Sequence, residues 1–258
     1  MFFKIVIPNY NSEEYIEKCL SSIEEQTFKD FSIIIIDDSS TDNSLEIIKK
    51  YKNKYNNIII ETPKKKVWNG GGRNIGLKYS SEYTLFLDCD DWFNSNDCLE
   101  NIYNNIIVNN YPDCVRLSYN LVMGEQIIPV TLKENNPKDL TNSIYIAPWT
   151  TCLKSSIIVQ FPENTLVEDV SWHIEQCDKI KSVSVCNIPI VCWNRNNINS
   201  VSINDGKATQ LIKRKSSVFR CVADLMDLEL EHDYCKENRD KRIEAYLDSF
   251  KREQYITF

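Results

Sequence analysis

Residues 33–42, Ile33-Ile34-Ile35-Ile36-Asp37-Asp38-Ser39-Ser40-Thr41-Asp42, run four isoleucines straight into a polar cluster. An unbroken β-branched run has no wet face, so it suits a strand covered on both sides of a sheet. The polar cluster then marks where the strand leaves the core. The same pattern recurs at residues 3–7, which end in Pro8-Asn9-Tyr10-Asn11, at residues 58–60, and at residues 84–87, which end in Asp88-Cys89-Asp90-Asp91. Helical spacing fills the gaps. Asn11 followed by Glu14 reads as a capping box ahead of Ile16, Cys19, Leu20 and Ile23 on one face, and residues 39–42 open a looser stripe of Leu45, Ile48, Tyr51 and Tyr55. Strand and helix in alternation predict an α/β fold, a mostly parallel sheet covered by helices.

Later segments extend this plan. Residues 96–108 read as a helix, 114–119 as a strand, 168–180 as a helix, and 183–188 and 190–193 as two strands. Between residues 124 and 142 the signal fades into polar, Asn-rich sequence. Residues 205–258, rich in Lys, Arg and Glu, read as a C-terminal helical extension whose basic stretch, 207–220, suits a solvated face or contact with an anionic partner or membrane surface. The expected division is a nucleotide-binding part over residues 1–120, an acceptor-binding part of the same domain over 121–204, and the extension.

The chain has 258 residues, 42% of them apolar, enough for one sizeable core. A net charge of −7 argues against wrapping nucleic acid, so a polyanionic ligand has to be held locally. The first residues carry no charged leader and no run long enough for a membrane span, which leads to the expectation of a cytoplasmic protein with at most peripheral membrane contact. Ten cysteines are scattered without a Cys-x-x-Cys pair, and two histidines complete the inventory. Reduced core thiols fit this better than zinc.

In an open α/β sheet, ligands bind beyond the carboxyl ends of the strands, where three of the polar clusters fall. Taken singly, each is also what a cap or a turn looks like. A dinucleotide-binding fingerprint would occupy the position held by Pro8-Asn9-Tyr10-Asn11-Ser12, and no phosphate-binding P-loop sequence is present. A haloacid-dehalogenase-type phosphatase also has Asp-x-Asp after a strand, but after its first strand and before a small pair, unlike Asp91-Trp92. The run Trp68-Asn69-Gly70-Gly71-Gly72-Arg73-Asn74-Ile75-Gly76 holds four of the six glycines. It reads as a loop whose backbone approaches a ligand while Arg73 reaches a phosphate.

The order of these pieces resembles family 2 glycosyltransferases, inverting enzymes with the GT-A fold. The matching segments are IVIPNYNSEEYIEKCLSSI, IIIIDDSSTDNS, GGGRNIGL, LFLDCDDW, PWTTCLKSSII, VEDVSWHI and CWNRNNINSVS, spanning about residues 1–203. Ser39 stands where the family usually has Gly, and Trp193 where it often has Tyr. Nothing beyond residue 205 shares the resemblance.

The resemblance implies a metal-dependent hexosyltransferase acting on a nucleotide-sugar donor, a UDP-sugar in the family's pattern, and a glycan, lipid-linked or protein acceptor. Pro8, Tyr10 and Asp38 would line the base pocket, with Asp37 supporting it. Asp88 would contact the ribose, Asp90 would bind Mn²⁺ or Mg²⁺ on the diphosphate, and Arg73 and Arg195 would contact the donor. Asp91 would bind the metal through water or cap the next helix. Asp169 is the implied general base, with Trp149, Glu168 and His173 expected at the acceptor. The alternative is a catalytically silent relative that holds a nucleotide or glycan. A nucleotidyltransferase is a third class, but it would carry a Gly-rich basic loop after strand one.

Overall fold

The computed structural model describes residues 1–132, 147–163 and 168–197. The expected C-terminal extension, its basic stretch and the end of the CWNRNNINSVS segment lie outside the described residues.

Within them, β1 (Phe3–Asn9), α1 (Ile16–Glu24), β2 (Phe31–Asp37), α2 (Ser44–Lys54), β3 (Ile58–Glu61), α3 (Trp68–Leu77) and β4 (Tyr83–Phe86) alternate strand with helix. There follow β5 (Trp92–Phe93), α4 (Cys98–Val108), β6 (Cys114–Met123), β7 (Gln126–Val130), β8 (Thr151–Lys154), α5 (Glu168–Lys179) and β9 (Val183–Asn194). One sheet takes them in the order β3-β2-β1-β4-β8-β6-β9-β5, with β7 beside β6. Its first half is parallel throughout, and antiparallel pairing begins where β4 meets β8.

The isoleucine runs behave as strands covered on both faces. Ile5, Ile7, Ile33 and Ile35 join Ile16, Leu20 and Ile23 of α1 in one core layer. Val6, Ile34 and Ile36 face the other way, towards Phe86, Phe161 and Trp172. Each buried isoleucine contributes about 2 kcal/mol, so a polar residue anywhere in 33–36 would open one layer or the other. Cys19, Cys98, Cys114, Cys152, Cys186 and Cys192 are buried fillers of these layers.

Four local expectations need correction. Asn11 does not cap α1: the helix starts at Ile16, Asn11 has φ 47°, and its side chain accepts the Thr41 N–H instead. The glycine run is a helix, not a ligand-facing loop. A Cβ at Gly76 would come within 2.3 Å of Val6 Cγ1, and one at Gly70 within 2.4 Å of the Pro162 carbonyl oxygen, so these glycines let α3 lie directly on protein. Residues 183–194 form one strand, with a register shift around the Ser118–Pro189 pairing where Pro189 suggested a break. The short strands β5 and β8 were not expected.

Candidate functional site

Parallel register brings the polar clusters level. Asn9 lies opposite Asp37, and Val6 opposite Phe86, so the residues after β1, β2 and β4 leave the sheet side by side. The first two clusters are then laced into one platform. Asn9 Nδ2 donates to Asp37 Oδ1 at 2.7 Å, Ser12 N–H to Ser44 Oγ at 2.8 Å, and Glu13 N–H to Asp42 Oδ2 at 2.9 Å. Asn43 N–H in turn donates to Glu13 Oε2 at 2.9 Å. Glu13 and Asp42 thus serve the platform, a function their spacing in the sequence did not signal.

Asp38 sits at the centre of this edge, nearly buried, with both carboxylate oxygens engaged. Oδ1 accepts the Val67 N–H at 2.8 Å and Oδ2 the Trp68 N–H at 2.9 Å. Trp68 has φ 60°, a conformation an L side chain adopts only when its surroundings hold it there, and Asp38 supplies that hold. Pro8 is buried beside α3, and Tyr10 is 45% exposed. Lys66 Nζ lies 3.3 Å from the centre of the Tyr10 ring and 5.0 Å from that of Trp68. Lys66 had not been singled out, although its place just before the glycine run put it at this edge.

The acidic cluster after β4 sorts by partner. Asp88 pairs with the Arg73 guanidinium at 2.8 Å and is a third exposed. Asp90 accepts from Asn197 Nδ2 at 2.7 Å; burial, then the neighbouring Asp88, pushes its carboxyl up from the usual range. Asp91 does not cap a helix: it is buried, and its Oδ1 accepts the Asn194 N–H at 2.8 Å, fastening the end of β9 to this loop. Its Oδ2 is buried with no partner among the described residues, and desolvation pushes the carboxyl well up. Asn194 and Asn197 are site residues missed in the sequence, where an Asn-rich tail looks like ordinary loop.

Arg73 links this cluster to α5. Its side chain is 3% exposed, with one terminal nitrogen on Asp88 and the other 2.5 Å from Glu168 Oε1. Burial pushes the Glu168 carboxyl up and the adjacent Asp169 adds to this, while Arg73 pulls it down. Asp169 follows Glu168 at the start of α5 and is partly exposed. The residues expected at the acceptor are otherwise interior. Trp149 is 4% exposed, edge-on to Tyr119 and against Trp193, and His173 is buried with a ring nitrogen 3.3 Å from Cys177 Sγ. Arg195 follows β9, its guanidinium 4.8 Å from the Trp193 ring.

Among the described residues no group of three or more His, Cys, Asp or Glu side chains forms a metal cage. The cluster nevertheless suits a hard divalent cation. Among the described residues, Asp88, Asp90 and Asp91 follow one another in a single loop, Arg73 pairs with Asp88, and Asp91 Oδ2 is buried without a donor. No helix among the described residues is long and apolar enough to cross a membrane.

Comparison with known proteins bears on the family and the fold. Residues 4–148 match the family model described as Glycosyl transferase family 2. The chain is 34% identical over 200 residues to a poly(ribitol-phosphate) beta-glucosyltransferase of Bacillus spizizenii, covering 72% of this chain and 31% of that protein. It therefore spans under a third of that enzyme's length. It is 30% identical over 237 residues to the Staphylococcus aureus poly(ribitol-phosphate) beta-N-acetylglucosaminyltransferase TarP, covering 84% of this chain and 71% of TarP. The fold is that of S. aureus TarS 1-349, whose crystal structure in complex with UDP-GlcNAc superposes with a TM-score of 0.77 at 22% identity, covering 96% of this chain and 72% of that one.

Proposed function

The chain belongs to glycosyl transferase family 2, and from that premise we propose that it moves a glucose-type sugar from a UDP-linked donor to a hydroxyl of a polyol-phosphate polymer, with inversion. The carrying observation is the convergence of four separate elements: Asp38 after β2, Arg73 on α3, Asp88 and Asp90 after β4, and Glu168 and Asp169 on α5 meet at one sheet edge. The acceptor class comes from the relatives, both of which act on poly(ribitol-phosphate). Inversion from an α-linked sugar nucleotide gives a β product, the linkage in those relatives' names.

In this reading Pro8, Tyr10 and Asp38 receive the uracil. Asp38 is fixed by two backbone donors, and each of its oxygens keeps a second lone pair for the base. Asp88 meets the ribose, and Arg195 reaches the donor from the end of β9. Asp90 would hold Mn²⁺ or Mg²⁺, which supplies charge neutralisation to the departing diphosphate. Asp169 accepts the proton of the acceptor hydroxyl as that oxygen bonds to the anomeric carbon. The bond from that carbon to the diphosphate oxygen breaks, and UDP leaves with the electron pair. A single base on the face opposite the leaving group is what inversion requires.

The test is a thermal-shift panel of nucleotide sugars with and without Mn²⁺, followed by transfer assays on poly(ribitol-phosphate). Stabilisation by a UDP-sugar at 100 times its Kd is expected to be about 2.7 kcal/mol and to grow with the metal. Equal response to every nucleotide, or none to any, would sink the proposal.

A further inference from the structure

We infer that Arg73 is a positioning residue, joining the donor-binding loop to the helix that carries the base, and that the face of α3 formed by Gly70, Arg73 and Asn74 is the seat on which that helix is aimed. This rests on the donor and base assignments proposed above. The three residues are spaced i, i+3 and i+4, so they share one helical face, and all three touch the segment leading into α5.

Asn74 Oδ1 accepts the Phe161 N–H at 2.7 Å, and its Nδ2 donates to the Phe161 carbonyl at 2.9 Å, so one side chain holds both backbone groups of Phe161. Arg73 lies over the Phe161 ring at 5.3 Å. Gly70 leaves no room to spare: a Cβ there would be 2.4 Å from the Pro162 carbonyl oxygen and 3.1 Å from Glu168 Cγ. Glu168 is thus held by Arg73 and lies where Gly70 leaves it room, and Asp169 is the next residue along the chain.

A phosphate ligand needs an accessible N–H edge, and Arg73 offers little. Its side chain is 3% exposed, its Nε is buried, and its two terminal nitrogens lie on Asp88 and Glu168, residues 80 positions apart in the chain. The planar fork of the guanidinium suits this bridging task, which a lysine could fulfil on only one side. Through it, the placement of Asp88 on a ribose and the placement of Glu168, and so of Asp169, become one geometric problem.

The experiment compares wild type with Arg73→Met, Arg73→Lys, Glu168→Gln and their pairs. It measures calorimetric affinity for UDP with Mn²⁺ and for uridine, which lacks phosphate, alongside steady-state transfer. A positioning role predicts that Arg73→Met weakens uridine and UDP by the same factor, within about twofold, while kcat falls about 100-fold. Glu168→Gln lowers kcat and leaves both affinities within about twofold, and the double variant is no slower than Arg73→Met alone. Arg73→Lys restores either affinity or kcat but not both. The inference is overturned if Arg73→Met weakens UDP at least about tenfold more than uridine, as a direct phosphate contact requires, or if kcat is unchanged.

If Arg73→Met does not fold, Gly70→Ala tests the same seat without touching Asp88. It should lower kcat at unchanged uridine and UDP affinity, and an unchanged kcat overturns the inference. A wild-type protein that binds no UDP overturns the functional reading and this inference with it. Wild-type binding with an Arg73 effect on UDP alone overturns only the inference.

Discussion

Ser39 occupies a left-handed backbone position, φ 67°, immediately after the carboxylate that fixes the start of α3. An L side chain there costs about 1–2 kcal/mol, and glycine removes most of that cost while adding some entropy to the unfolded chain. Ser39→Gly should therefore stabilise the fold by about 0.5–1 kcal/mol, read as a higher urea midpoint at unchanged slope. Lys4 makes a pH-dependent counterpart. Its ammonium is buried under the end of α3, donating to the Leu77 and Tyr79 carbonyls, and burial lowers its pKa to about 8. The unfolded value is near 10.4, so from about pH 8 to 10.4 the unfolded chain binds more protons and stability rises with pH. Relative to Lys4→Met, the wild type should gain about 1–2 kcal/mol across that window, measured by urea unfolding at each end. A flat difference would show that the ammonium is effectively solvated.

At the scale of elements, α3 shows why close packing is hard to read from sequence. Three consecutive glycines lower helix propensity by about 1 kcal/mol each relative to Ala, and the reading as a loop followed from that. Tertiary contact overrides the propensity, because a side chain would not fit at Gly76 against Val6 or at Gly70 against Pro162. Gly76→Ala should therefore destabilise by about 1–3 kcal/mol, since the new methyl would meet Val6 Cγ1 and Cγ2 at 2.3 and 2.8 Å. The strands of the first half were legible because a strand buried on both faces is written as an uninterrupted apolar run. β5, two residues long, and β8, four residues within a tryptophan-bearing segment, leave no such run. Their places are set by partners far away in sequence, Val191 and Cys192 for β5 and Tyr83 to Leu85 for β8.

Across the whole molecule, the edge that carries the site was legible because parallel strands of similar length must end together. It puts Asp38, Asp88 and Asp90, each just past the end of its strand, at the same edge of the sheet. The pairing of Arg73 with Glu168 spans 95 residues and was not legible, nor was the reach of Asn194 and Asn197 back to Asp91 and Asp90. Those contacts depend on how β9 and α5 return to the first half of the sheet. They join the loop after β4 to α5 and to the end of β9, and so tie together the halves to which donor and base are assigned in the proposed function.

The central claim is that Asp169 removes the acceptor proton while other residues bind the donor. Its most direct test is Asp169→Asn, with UDP affinity and sugar transfer measured on the same preparation. The account predicts UDP affinity within about twofold of wild type and transfer reduced about a thousandfold, the range expected for loss of a general base. Turnover near the wild-type rate in the folded variant would contradict it.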